Sequence, residues 1–159
     1  MQIKTECMHQ IIEEVNLLVG EIQKLPNWPE GRDKGYCTVI DAVDGRVILS
    51  FQVGNCPPEK VEKYYALSHE KAQRLRIHAS AHGHVSSWQS QNEAENKFAG
   101  AISTGSLVFS FSGLPFGLAD EAIMLLAARY CDCMVGLEAI RVARISGNNF
   151  FTDLDNLVR

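Results

Sequence analysis

Three of the five histidines of this chain lie within seven residues, in the stretch HASAHGH. His78 and His82 are four residues apart, so a helix continuing through position 82 would place both imidazoles on one face, as in many pairs of metal ligands. Gly83 would then let the chain turn, and His84 could approach from the other side. Neutral imidazole suits zinc, nickel, copper or haem iron, so the stretch is a candidate metal site.

The same stretch is also typical of a fraying helix end, and this interpretation is the favoured one. Small residues at 79–81 and the following glycine fit the end of a helix. A histidine there is favourable because its positive charge meets the negative end of the helix dipole. His9, one position beyond Met8 at the edge of the apolar face of the first helix, is a further possible ligand.

A second candidate site is the stretch SGLPFGLADE, which begins at Ser112 and Gly113. A glycine-containing loop that enters a helix exposes backbone N–H groups, which can bind a propionate of haem or a corrin, or a small carboxylate. Asp120 and Glu121 follow in the first turn of the helix. Alternatively, the loop is an ordinary turn and the two carboxylates cap their own helix.

Aromatic residues near this stretch could line a pocket for a flat ligand, although ordinary core packing is the commoner role. They are Trp88, Phe98, Phe109, Phe111 and Phe116. Phe109 and Phe111 alternate along one strand and so point to one face. Phe111, directly before the SGLP loop, is included with the ligand-binding candidates.

Apolar periodicity predicts the elements that must position these residues. Helices are expected at 2–25, 58–77 and 118–134, and strands at about 36–42, 46–53, 98–103 and 107–112. Asp44-Gly45 between two β-branched runs predicts a hairpin. For the segment 136–159 we expect a strand near 139–145, a turn at 147–149 and a short final helix. This order predicts one α+β domain, an antiparallel sheet with flanking helices.

Composition narrows the classes of function. A net charge of −4 argues against a general nucleic-acid binder, and no apolar run is long enough to span a membrane. The N-terminal residues lack the apolar core of a signal peptide, so a cytoplasmic location is expected. The five cysteines match no zinc pattern and are expected to be free thiols. Phosphate-loop, dinucleotide and esterase motifs are absent, which leaves the catalytic residues, if any, unknown.

The hairpin and two helices resemble the GlcG/HbpS family over residues 5–134. The similarity rests on VIDAVDGRVILSF, on the Lys71-Ala72 pair in the next helix, and on a strand ending in Ser112-Gly113 before a helix that opens with Asp120-Glu121. The sequence lacks the family's G-G-x-P turn before the last strand pair, of which only Gly100 remains. The segment 136–159 is an addition to the family pattern.

The resemblance implies a profilin-like sandwich, a tendency to form homo-oligomers and, for some members, haem binding. The first hypothesis is therefore a small-ligand binding module for haem, a corrin or a small carboxylate, with an accessory or sensing role. Two alternatives remain. One is an oligomeric assembly subunit without a small ligand, and the other is a small enzyme that uses a histidine as general acid or base.

Overall fold

The computed structural model describes residues 4–159 and contains five α-helices and four β-strands within them. In chain order they are α1 (Thr5–Ile22), β1 (Gly35–Asp41), β2 (Val47–Val53), α2 (Pro58–His82), β3 (Ala101–Ser103), β4 (Leu107–Ser112), α3 (Gly117–Tyr130), α4 (Gly136–Ser146) and α5 (Asn149–Val158). Two short 3₁₀ turns, Ser87–Ser90 and Glu93–Glu95, lie between α2 and β3. No helix within residues 4–159 has the length and apolar character needed to cross a membrane.

The four strands form one antiparallel sheet in the order β2-β1-β4-β3. Helix α2 covers one face, where Ile40 and Val108 pack with Ala72 and Leu75. Helices α1 and α3 cover the other face, towards which alternate residues such as Val39 point. The predicted α+β fold, an antiparallel sheet flanked by helices, is confirmed.

The first and third helices agree with prediction except at their ends. Helix α1 ends at Ile22, before the predicted position 25, and the predicted residues 2 and 3 lie outside the described part of the chain. Helix α3 ends at Tyr130, four residues before the predicted end. Element boundaries are the weakest part of a prediction from periodicity, because the last turn of a helix often lacks the apolar pattern of its middle.

Helix α2 is longer than predicted and includes most of the histidine-rich stretch. It continues to His82 and ends where Gly83 adopts a left-handed conformation, with φ of 69°. The backbone N–H of Gly83 donates to the carbonyl of Ala79, which closes the final turn. The prediction stopped at 77 because the last turn lies at the surface, where small and polar residues show no apolar periodicity.

The prediction of a strand near 139–145 is wrong, because this segment forms helix α4. Its buried residues are Ala139, Val142, Ala143 and Ser146, a spacing of three, four and seven that is helical and not alternating. The predicted turn at Gly147 and the predicted final helix, α5, are both present. Helices α4 and α5 both pack on α3, and α5 contributes Phe151 and Leu154 to the main core.

Candidate functional site

A cavity of about 620 Å³ opens at the end of the sheet where β4 leads into α3. One wall is the first half of α2, and the opposite wall is the loop between β4 and α3. Fourteen residues line it: Arg32, Lys63, Tyr64, Ala66, Leu67, Lys71, Asn96, Phe98, Ser112, Gly113, Leu114, Pro115, Gly117 and Asp120. The SGLP loop, Ser112 to Pro115, is therefore one wall of this cavity.

Gly113 fixes the position of the SGLP loop. Its φ of 134° is a conformation that glycine alone adopts readily, and a Cβ there would lie 2.5 Å from the Cα of Gly35 and from the carbonyl oxygen of Lys34. The Arg32 guanidinium donates a hydrogen bond of 3.0 Å to the Gly113 carbonyl from the cavity side. The loop is thus held between the start of β1 and an arginine.

The buried Lys71 side chain lies at the floor of the cavity, with only 1% of its surface exposed. Its ammonium donates to the carbonyls of Ala99, at 3.0 Å, and Phe111, at 2.5 Å, and to a carboxylate oxygen of Asp120, at 3.3 Å. An ammonium has three N–H donors, and all three are used here. Lys71 therefore holds the floor together and has no donor left for a ligand.

Asp120 is the acidic partner of Lys71 and lines the same cavity. Its second carboxylate oxygen accepts a hydrogen bond of 3.2 Å from the backbone N–H of Leu114, in the SGLP loop. Burial raises the pKa of Asp120 to about 6, although Lys71 opposes this shift. Burial also lowers the pKa of Lys71, with Asp120 acting against it. One carboxylate thus links α2, α3 and the loop.

Two further cations line the cavity, and neither forms a close ion pair in the described part of the chain. Neither Arg32, which is half-buried, nor the exposed Lys63 forms an ion pair within residues 4–159. A smaller adjoining cavity of about 170 Å³ shares Arg32 and also includes Lys34 and Lys60. Of these, Lys34 is paired with Asp33. The combined surface is positively charged, although the whole chain carries a net charge of −4.

Two of the predicted ligand-binding residues lie away from the cavity. Glu121 is fully buried and accepts hydrogen bonds from the side chains of Ser86, Ser146 and Asn148. Burial raises its pKa, against the effect of these donors. Phe111 is fully buried in the main core, and only its backbone carbonyl reaches the cavity floor, at Lys71. Of the five residues, Ser112, Gly113 and Asp120 do line the cavity.

The structure brings His78, His82 and His84 together, but outside the cavity. Their ring centroids are 5.3 to 5.7 Å apart. In the positions they occupy, the histidines, cysteines and carboxylates of residues 4–159 form no group of three or more that could hold a metal ion. His9 lies exposed on α1, across the sheet from α2, so it cannot bind the same metal ion as the other three histidines.

Sequence reasoning missed the basic lining of the cavity. Ser68, Lys71, Ala72 and Leu75 are buried at the spacing expected for the inner face of α2, so a lysine at 71 occupies a core position. A lysine at a core position of a helix predicts a buried ion pair, because lysine is rarely fully buried unless it is paired. The contribution of Arg32 had no such pattern, because it reaches the site from a loop.

No protein-family model matches this sequence, and no curated protein matches it either. Membership of the GlcG/HbpS family therefore stays a prediction.

Proposed function

We propose that this protein is a small-ligand binding module whose cavity takes an organic carboxylate. The observation that carries the proposal is that two cations, Arg32 and Lys63, line the cavity beside the SGLP loop and form no ion pair within residues 4–159. Guanidinium and ammonium groups are the usual protein partners of a carboxylate. The negative charge of Asp120 is already matched by Lys71, so the cavity retains an excess of positive charge.

The remaining lining fits an organic body attached to that carboxylate. Leu67, Phe98, Leu114 and Pro115 supply apolar surface. The volume of about 620 Å³ is within the range of roughly 300 to 1,000 Å³ that is usual for small-molecule sites. A ligand with one anionic end and an apolar or aromatic remainder matches both features.

The donor set of the cavity does not fit haem or a corrin as well as it fits a carboxylate. Iron in haem is usually held by histidine, cysteine or methionine, and less often by tyrosine. Tyr64 is the one residue of these types among the fourteen that line the cavity. Of the predicted ligands, haem, a corrin or a small carboxylate, we therefore retain the small carboxylate.

The two alternative functions receive different support. A histidine acting as general acid or base has none in the cavity, because no histidine lines it. Assembly into a homo-oligomer stays a prediction, for which Val135 and Leu137 supply exposed apolar surface at the start of α4, 72% and 82% exposed. We expect the module to act in the cytoplasm, where its five free thiols would stay reduced.

Calorimetric titration with benzoate and succinate, and with methyl benzoate as the neutral analogue, tests the proposal. We expect saturable binding of a carboxylate and none of the ester. In Arg32→Gln and Lys63→Gln the affinity should fall about tenfold or more, since each loses a charge-assisted contact of roughly 1.5 to 3 kcal/mol. Arg46→Gln, which removes an exposed arginine on the β1–β2 hairpin, is the matched control. Equal affinity in all four proteins would contradict the proposal.

A further inference from the structure

The last turn of α2 and the residue after Gly83 bring three imidazoles into one surface cluster. His78 and His82 are one helical turn apart, with ring centroids 5.5 Å from each other. The ring of His84 lies 5.3 Å from that of His78 and 5.7 Å from that of His82. The left-handed Gly83 reverses the chain and places His84 against the helix that precedes it.

The rings are poorly satisfied by the rest of the protein. The Nδ1 atoms of His78 and His84 are shielded from solvent and have no hydrogen-bond partner within the described residues. Burial, together with the neighbouring His78 and His82, lowers the pKa of His84. Neutral imidazole is the protonation state that coordinates a metal. A shielded imidazole nitrogen without a partner is costly unless something binds it.

We propose that His78 and His82 bind one divalent transition-metal ion, with His84 as a third ligand. Two histidines separated by one helical turn present their nitrogens on the same side of the helix, which is the arrangement used by helical zinc sites. His84 requires a ring rotation, because its plane is nearly parallel to that of His78, at 13°. In the positions they occupy, the three side chains form no coordinating group.

The chemistry of the ligands sets the metals that the cluster takes. Imidazole suits copper, nickel, cobalt and zinc and is a poor ligand for magnesium or calcium. Affinity should increase from cobalt to nickel to copper, as it does for nitrogen sites in general. Binding should weaken in acid, because protons then compete for the same nitrogens. This site is separate from the carboxylate cavity, whose lining contains no histidine.

Titration of the full chain with Ni²⁺ at pH 7.5, followed by calorimetry, tests the proposal. We expect one ion per chain, and a loss of affinity of about tenfold or more in His78→Gln and in His82→Gln, equal to about 1.4 kcal/mol. His84→Gln should lose less, because the helical pair remains. His69→Gln on the same helix and His9→Gln on α1 are matched controls and should bind as wild type.

A second readout separates this site from adventitious binding to cysteines. Paramagnetic Ni²⁺ should broaden the imidazole NMR signals of His78, His82 and His84 and leave those of His9 and His69 sharp. Absence of saturable Ni²⁺ binding would overturn the proposal. So would binding that is equal in all five variants, or broadening that spares the cluster.

Discussion

Asp120 and Glu121 are consecutive residues of α3, both almost fully buried, yet they serve two different regions. Asp120 faces the cavity and forms an ion pair with Lys71. Glu121 faces the C-terminal segment and is held by two hydroxyls and one amide, from Ser86, Ser146 and Asn148. The cavity floor thus stabilises a carboxylate with an opposite charge, and the C-terminal contact stabilises one with neutral donors.

The difference shows two solutions to the cost of removing a carboxylate from water. A buried charge needs either a counter-charge or several hydrogen bonds. Lys71 supplies the counter-charge of Asp120, and both residues line the cavity. Lys71 thus neutralises a carboxylate that would otherwise make the cavity more negative. The neutral donors at Glu121 come from segments far apart in the chain. Through these hydrogen bonds Glu121 connects α3 to the 84–90 segment, to the end of α4 and to the start of α5.

The largest effect should follow from breaking the charged pair. We expect Lys71→Met to lower the free energy of unfolding by about 3 to 5 kcal/mol, because Asp120 and two backbone carbonyls lose their shared partner. Urea denaturation measures the loss. Lys63→Met, on the exposed side of the same helix, should change stability by less than about 0.5 kcal/mol. Adding Asp120→Asn to Lys71→Met should restore part of the loss, and a strictly additive double variant would refute the pairing.

A smaller loss of stability should follow from weakening the hydrogen bonds that Glu121 accepts. Glu121→Gln keeps the shape of the side chain but replaces an accepting oxygen with a donor that faces other donors. We expect a loss of about 1 to 3 kcal/mol in the free energy of unfolding. Amide hydrogen exchange in the variant should accelerate more in α4 and α5 than in α2, because Ser146 and Asn148 lose their acceptor. Glu13→Gln, on the exposed face of α1, is the control and should exchange as wild type.

The smallest effect concerns pH and the cavity. Because the pKa of Asp120 is raised to about 6, lowering the pH from 7.5 to 5 protonates it and removes a negative charge from the cavity. The affinity for benzoate, which stays ionised over this range, should then rise by about threefold to tenfold. Calorimetry at both values of pH measures the change. In Asp120→Asn the affinity should not change with pH, provided that the variant keeps the wild-type circular dichroism spectrum.

The fold was largely predictable because its elements carry strong local patterns. The Asp44-Gly45 hairpin, the paired strands and the apolar faces of α1 and α3 all follow from periodicity and turn chemistry. The prediction of a strand near 139–145 is wrong for a segment whose buried small residues Ala139 and Ala143 lie at helical spacing. Alanine has a strong helix propensity, and this was the better guide.

The candidate site was only partly predictable, for a physical reason. Ser112, Gly113 and Asp120 belong to one continuous stretch, so local reasoning found them together. Arg32 approaches from more than eighty positions away and interacts with a backbone carbonyl, which any sequence can supply. Glu121 was predicted together with Asp120 as a ligand-binding residue, but neighbouring residues of a helix point in directions about 100° apart.

The contact between Gly113 and Gly35 bears on how this protein could diverge. Neither position has space for a Cβ, since an added carbon at Gly35 would lie 2.5 Å from the Phe111 ring and from the Ser112 carbonyl. Sequence change can therefore reshape the cavity through Ala66, Leu67, Leu114 and Pro115, which contribute side chains to it. Related chains should thus vary in the side chains of the cavity wall while keeping glycine at both of these positions.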